Sequence, residues 1–322
     1  MTIAIIGGTG FLGTATAKRL RERGHDVLVV ARGQHKVALP DGVRFEKADR
    51  MDGEALTRLL QDNAATAVID IFTISLRNTQ PVIEAAGKAG ARYVLVSSTD
   101  VYSNYGGLLK KESPAIRPEP ATEDSPLRTL RYPYRQNDRR PKGIEDDLFE
   151  EYDKIPIEEF AMAAGAPQAT VLRLPMIFGP DDKQHRFAWA IKGARSGEPF
   201  RLDRRGAGWL NSYAYIEDVA EALALAATLP EAEGRVYNVA QPFVRTQADW
   251  ARTVLTLMGV DSEIMLVDAD AGGVLADRAD SSDLSYPLTL DSARIRAELG
   301  YSEIVPEEQA LRRTIEWELS QG

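Results

Sequence analysis

The chain of 322 residues contains no cysteine and only three histidines, His25, His35 and His185. The first absence excludes disulfides, thiolate nucleophiles and Cys-ligated zinc, and it fits a reducing, cytoplasmic setting. With so few imidazoles a multi-histidine centre is not expected, so no metal is assigned. Positive charge is also scarce: 39 Lys and Arg stand against 48 Asp and Glu, a formal net charge of -9. General nucleic-acid binding requires a cationic surface and is not expected. No apolar run reaches the roughly 18 residues a membrane-spanning helix needs. The opening MTIAIIGGTG lacks the basic start and the cleavage site of a secretion signal.

What is present is an ordinary globular composition, 44% hydrophobic and 27% charged. The length suits one large domain with a smaller dependent lobe. Short apolar runs alternate with amphipathic stretches through the first hundred residues. TIAII (2–6), DVLVVAR, VRFEKAD, AVIDIF and RYVLVSS read as strands. The segments ATAKRLRER, GEALTRLLQD and NTQPVIEAAGKAG read as helices, the first closed by Gly24. Runs this continuous suit strands buried on both faces, and intervening helices imply parallel crossovers. The fold class predicted is α/β, a doubly wound parallel Rossmann sheet with a smaller C-terminal substrate-binding lobe. Residues 1–175, with about 208–240, are assigned to the sheet domain, and 176–322 mainly to the lobe. Farther along, IEEFAMAAG, HRFAWAIKGARSG, QADWARTVLTLMG and ARIRAELG predict helices, and ATVLRLP and RVYNVA strands. YAYIEDVAEALALAATL predicts one helix entered through Asp218.

Residues 103–147 break this rhythm. They are rich in Pro, Gly and charge, with Arg128, Arg131, Arg135, Arg139, Arg140 and Lys142 forming a basic patch. A loop this long is either a solvated surface segment or a lid whose arginines meet an anionic group.

Chemistry enters at Gly7-Gly8-Thr9-Gly10-Phe11-Leu12-Gly13, directly after a strand and opening a helix. Gly7 permits the tight turn, Gly10 lets a pyrophosphate approach the backbone, and Gly13 lets the helix pack on the sheet. The helix N-terminus, at Thr9 to Leu12, supplies N–H donors and positive potential. A dinucleotide is the predicted ligand. At the end of the second strand a carboxylate would hydrogen-bond a ribose 2′-hydroxyl and repel a 2′-phosphate. That place reads Ala31-Arg32-Gly33, with His35 and Lys36 beyond. Arg32 can fork onto a phosphate, which favours NADP(H) and keeps NAD(H) as the alternative. Asp49, with Arg50, is placed to meet the adenine.

Taken in order, GGTGFLG at 7–13, VSSTDVY at 96–102, a Tyr- and Lys-bearing helix start near 152, VLRLPMIFGP at 171–180, YAYIEDVAEA at 213–222 and VYNVA at 236–240 resemble the extended short-chain dehydrogenase/reductase superfamily, in its NAD-dependent epimerase/dehydratase branch. The resemblance covers nearly the whole chain. It implies that Ser98 hydrogen-bonds the reacting carbonyl or alcohol, with Thr99 as substitute and Ser97 beside the cofactor. It implies that Pro175 turns against the nicotinamide carboxamide. Homodimerisation follows by the same analogy.

One motif departs from the family. Its Tyr-x-x-x-Lys pair puts both side chains on one helix face, where the Lys lowers the phenol's pKa and holds the ribose. Here the segment is Glu150-Glu151-Tyr152-Asp153-Lys154-Ile155-Pro156-Ile157-Glu158. Tyr152 and Lys154 are two apart, about 200° around an ideal helix. The Lys154 frame places Glu158 four residues on, and Pro156 indicates that the helix only begins here. Lys154 is then the ribose-holding lysine, and an irregular start could curl Tyr152 back toward the site. Tyr132, Tyr134 and His185 are other proton sources. His185, Arg186, Trp209 and Tyr213 are expected to line the substrate pocket, on position alone.

Three functions compete. The first is an NADP(H)-dependent reductase of a ketone or related carbonyl, acting on a small molecule. The second is a nucleotide-sugar epimerase or dehydratase. The third is a non-catalytic dinucleotide sensor or scaffold, suggested by the altered motif.

Overall fold

A computed structural model of the chain describes residues 1–33, 38–135, 146–163, 169–196 and 199–321. His35 and Lys36, and Arg139, Arg140 and Lys142 of the insert, lie outside these residues.

The first half runs β1 (Thr2–Ile6), α1 (Phe11–Glu22), β2 (Asp26–Ala31), β3 (Arg44–Lys47), α2 (Gly53–Asp62), β4 (Ala65–Asp70), α3 (Leu76–Ala89) and β5 (Arg92–Ser98). A short 3-10 turn (Thr99–Val101) follows, then α4 (Ser103–Leu108), α5 (Asp146–Glu150), α6 (Lys154–Ala163), β6 (Thr170–Leu174) and β7 (Met176–Phe178). The remainder comprises α7 (Ala188–Arg195), β8 (Phe200–Asp203), α8 (Arg204–Ala207), β9 (Tyr213–Tyr215), α9 (Ile216–Thr228) and β10 (Val236–Asn238). It ends with α10 (Gln247–Met258), β11 (Ile264–Val267), α11 (Ala276–Ser281), α12 (Ala293–Leu299) and α13 (Glu307–Ser320).

Seven parallel strands form the main sheet in the order β10-β6-β5-β4-β1-β2-β3. The apolar runs are continuous because both faces of the sheet are covered. Along β1, Ile3 and Ile5 enter one core while Ala4 and Ile6 enter the other, and β2 divides Val27 and Val29 from Leu28 and Val30 in the same way. The strand order reverses between β1 and β4, which opens a crevice at their carboxyl ends. The loops after β1, β2, β4, β5 and β6 all empty toward that edge. Gly7–Gly13, Arg32, Thr73, Ser98 and Pro175 stand at or just beyond these strand ends respectively.

Beside the sheet, β8 pairs with β11, and Phe200, Leu202, Ala251 and Leu255 build a separate small core between them and α10. Among the described residues no helix is long and apolar enough to cross a membrane.

Two boundaries differ from the sequence expectation. The helix predicted from Tyr213 opens instead as β9, because Tyr213–Tyr215 pair in parallel with β7. Asp218 therefore sits inside α9, where its carboxylate accepts the N–H groups of Ile304 and Val305 at 2.7 and 3.1 Å. The helix expected around His185 begins only at Ala188. Ahead of it the Asp182 carboxylate accepts the N–H groups of Gln184 and Arg186, and His185 adopts a left-handed φ of +50°.

Candidate functional site

The turn after β1 is shaped by what its glycines exclude. Gly7 has φ +76°, which a side chain would strain. A Cβ on Gly13 would stand 2.4 Å from the Gly8 Cα, so α1 reaches the sheet only without one. A Cβ on Gly10 would meet nothing within 4 Å, and the N-terminus of α1 has no side-chain cap. Open space therefore stands before a row of uncommitted N–H donors, the arrangement a pyrophosphate requires. An open cleft extends from Thr9, Gly10 and Phe11 along α1 to Leu39, Pro40 and Lys183. Leu12 points the other way, into the core.

At the end of β2, Arg32 is exposed. Lys47, the register partner of Ala31 on β3, passes 3.7 Å from where a Gly33 Cβ would stand. Asp49 is exposed, and its carboxylate accepts the Met51 N–H at 2.9 Å. Arg50 turns inward. It donates to the carbonyls of Asn78 and Phe72 and to Asp70 Oδ2, each at 2.7 Å. Asp70 is fully buried, so Arg50 neutralises an interior carboxylate, and its guanidinium does not face the adenine end of the crevice.

Lys154, the first residue of α6, is 6% exposed beneath the ends of β4 and β5. Its ammonium donates to the Thr73 carbonyl, to Thr73 Oγ1 at 2.6 Å and to the Val96 carbonyl at 3.2 Å. Burial pulls its pKa down to about 8, although Asp100, Asp70 and Glu158 oppose the shift. One turn on, Glu158 takes a hydrogen bond from Ser97 and a forked pair from Arg173, whose Nη2 lies at 2.7 Å. This buried ion pair pins α6 to β5 and β6 and so sets the depth of Lys154. Ser97 is committed to that pin.

Tyr152 reaches the same place by another route. Residues 151–153 form a turn between α5 and α6, so the helical spacing that would part it from Lys154 does not apply. The Lys154 ammonium lies 5.6 Å from the Tyr152 ring centroid. The Tyr152 hydroxyl donates to Asp100 Oδ2 at 2.6 Å. Burial, then the Asp100 charge, push the phenol's pKa well above its ordinary value. Ser98 Oγ accepts the Asp100 N–H at 3.3 Å and keeps its own hydrogen for another acceptor. Thr99 faces a separate small pocket with Tyr102, Asn104 and Arg117. Pro175 is buried in the turn joining β6 and β7.

The insert contributes structure more than charge. Arg128 is buried, holding Asp153 through Nη2 at 2.6 Å and the Asp100 carbonyl through Nε at 2.8 Å. Tyr134 packs edge-on against Tyr152 at 4.9 Å, and its hydroxyl meets that of Tyr105. Tyr132 lies under the Arg135 guanidinium at 4.1 Å.

The four residues expected to line the substrate pocket do not all share one place. His185 is exposed, bonded through Nδ1 to Glu318 at 2.9 Å and stacked on Trp317, against the C-terminal helix. Tyr213 belongs to an aromatic core with Phe178, Phe187 and Trp250. Trp209 is buried and donates to the Tyr286 carbonyl at 3.1 Å. Its ring carries the Arg278 guanidinium at 4.3 Å. Arg278 was not foreseen, since nothing in ADRADS marks it. Arg278 and Arg186 both influence Tyr213. Burial, with Arg186 adding its repulsion, lowers the Arg278 pKa. The Nε atoms of both are buried and lack a hydrogen-bond partner among the described residues. Asp100 was also missed, although it stands inside VSSTDVY.

A parallel sheet with a glycine turn at its reversal point, and a Ser, a Tyr and a Lys beside it, defines a nicotinamide-dinucleotide enzyme of the short-chain dehydrogenase/reductase type. The chain belongs to the NAD dependent epimerase/dehydratase family, whose profile matches residues 3–240. It is 26% identical to the 2'-dehydrokanamycin reductase of Streptomyces kanamyceticus across 74% of this chain, a match spanning 62% of the reductase's length. It is 23% identical to the dTDP-glucose 4,6-dehydratase of Salmonella typhimurium, over 99% of this chain and 93% of that one. The crystal structure of Thermus thermophilus UDP-glucose 4-epimerase in complex with NAD shares the fold. Its TM-score is 0.67 at 22% identity, covering 99% of both chains.

Proposed function

We propose that the chain is an NADP(H)-dependent reductase of a carbonyl substrate. The observation that carries this reading is the convergence of Tyr152 and Lys154, two apart in sequence, beside Ser98 at the end of β5. When bound, the nicotinamide supplies the hydride. Ser98 donates a hydrogen bond to the carbonyl oxygen, and Tyr152 hands that oxygen its proton. Lys154 exchanges a donor from Thr73 to the ribose and keeps positive potential beneath the phenol. Arg32 and Lys47, with no carboxylate at the end of β2, favour a 2′-phosphate. Residues 176–322 supply most of the substrate-binding surface.

The test is a titration with NADPH, NADH, NADP⁺ and NAD⁺, followed by fluorescence and thermal shift. Preference for the phosphorylated pair, lost in Arg32→Ala, is the expected result, with NADPH oxidation then found in a carbonyl panel. Equal or tighter NAD(H) binding removes the argument from Arg32.

Arg186 and Arg278 favour a second reading, a nucleotide-sugar epimerase or dehydratase. Two guanidinium groups with unpartnered Nε atoms suit a diphosphate. Thermal protection by UDP- or TDP-sugars, lost in Arg278→Met, would move this reading ahead.

A further inference from the structure

We propose that Asp100 is the proton store of Tyr152, a positioning residue that acts through the phenol and never touches the substrate. The proposal rests on the reductase reading for the substrate oxygen, but the pair itself is a property of the folded chain.

Asp100 is short of hydrogen-bond partners among the described residues. Its side chain is buried in the 3-10 turn after β5. Oδ2 accepts the Tyr152 hydroxyl at 2.6 Å, while Oδ1 is shielded from solvent and has no hydrogen-bond partner among the described residues. A buried carboxylate ordinarily recruits a cation or several N–H donors. Two cations stand nearby, and both are engaged elsewhere. Arg128 gives Nη2 to Asp153 and Nε to the Asp100 main chain, and Lys154 gives its donors to Thr73 and Val96. Among the described residues the one hydrogen bond to the carboxyl therefore comes from a phenol. Across 2.6 Å a proton can pass directly between the two oxygens.

The groups that influence Asp100 are Arg128 from the insert, Lys154 from α6, and Tyr152 and Asp153 from the turn before it. Tyr105 of α4 and Tyr134 of the insert feel its charge in turn. Burial outweighs the two cations and raises the Asp100 pKa above its ordinary 3.8. Tyr134 and Phe149, with ring centroids 4.9 and 6.0 Å from that of Tyr152, exclude water from the phenol's flanks. The pair replaces the helical Tyr and Lys spacing, which this chain lacks.

Below its pKa Asp100 holds a proton of its own on Oδ2, so the resting pair carries two. The carbonyl carbon takes the hydride, its oxygen takes the Tyr152 Oη proton, and the Asp100 proton passes from Oδ2 to Tyr152 Oη. Asp100 is left as carboxylate until solvent reprotonates it through Tyr152 after product leaves. Reduction then slows as pH rises through the Asp100 pKa, and alcohol oxidation quickens through the same range.

The experiment uses the full chain labelled with [13Cζ]tyrosine, the Tyr152 resonance being assigned by Tyr152→Phe. In the wild-type protein that resonance should move in one step with a midpoint above that of an ordinary aspartate. In Asp100→Asn, whose amide oxygen still accepts the hydroxyl, the step should vanish. In turnover, Asp100→Asn should lower kcat for reduction about 100-fold, leave KM for NADPH within about twofold and flatten the pH limb, while Asp100→Glu restores it. If Asp100→Asn does not fold, the wild-type titration and Asp100→Glu still decide. A Tyr152 resonance without a step, or one that keeps it in Asp100→Asn, overturns the proposal. So does an Asp100→Asn enzyme with unchanged kcat and pH limb. A step in a protein that reduces no carbonyl supports the coupled pair and removes only the reductase reading.

Discussion

Replacing Lys154 by methionine should change the way stability depends on pH. The Lys154 pKa is about 8 in the folded protein, against an ordinary 10.5. The unfolded chain therefore binds more protons between these values, and the stability of the wild-type protein rises with pH across that window. The gain is absent below pH 8 and complete only above 10.5. From pH 7 to pH 9.5 it amounts to about 2 kcal/mol, from the ratio of the two titration curves at about 1.4 kcal/mol per unit. Lys154 is almost wholly buried, so solvent screening does not reduce the figure. Lys154→Met lacks the titrating group and should show none of this gain. Urea denaturation of both proteins at pH 7, 8.5 and 9.5, without cofactor, reads the difference. Stopping at 9.5 keeps clear of Tyr93, Tyr134 and Tyr152, whose raised pKa values cost stability once unfolded phenols ionise near pH 10. A wild-type-minus-variant difference that stays flat within about 0.5 kcal/mol would refute the reasoning, since a burial-shifted ammonium must titrate in that range.

Gly13→Ala brings a Cβ to 2.4 Å from the Gly8 Cα, backbone against backbone. It should destabilise the chain by about 2 kcal/mol and weaken dinucleotide binding at least about tenfold; wild-type affinity by fluorescence titration would contradict the packing argument. Arg50→Met strands the fully buried Asp70 carboxylate and should cost about 3–5 kcal/mol in urea melts. Adding Asp70→Asn should recover much of that loss, and strict additivity of the two would show that they do not interact. Arg278→Met should raise KM for an anionic substrate about 10- to 100-fold with kcat nearly unchanged, as expected for losing a charge-assisted hydrogen bond. Its thermal stability should hold or improve, because a desolvated cation leaves an apolar site.

The strands of the sheet and the glycine turn after the first of them are legible in the sequence because they depend on contiguous residues. IAII and VLVV are apolar at every position since each strand is covered on both faces, and α1, α2 and α3 follow β1, β3 and β4 in turn. The turn at Gly7–Gly13 needs only its own backbone and the strand and helix at either end. Misread boundaries came where a distant partner decided the conformation, as when β7 drew Tyr213–Tyr215 into a strand.

The site is another matter. Sequence spacing sets Tyr152 and Lys154 on opposite sides of an ideal helix, and only the turn before α6, held by Asp153 and Arg128, brings them together. Arg50 follows the third strand as a cofactor contact would, yet a buried Asp70 twenty residues on turns it inward. Arg186 and Arg278, 92 positions apart, both act electrostatically on Tyr213, which only the tertiary packing arranges. Local chemistry determined which backbone could cradle a dinucleotide. Long-range burial decided which charges face the crevice, because the cost of an unpaired interior charge depends on every element around it and on none of them alone.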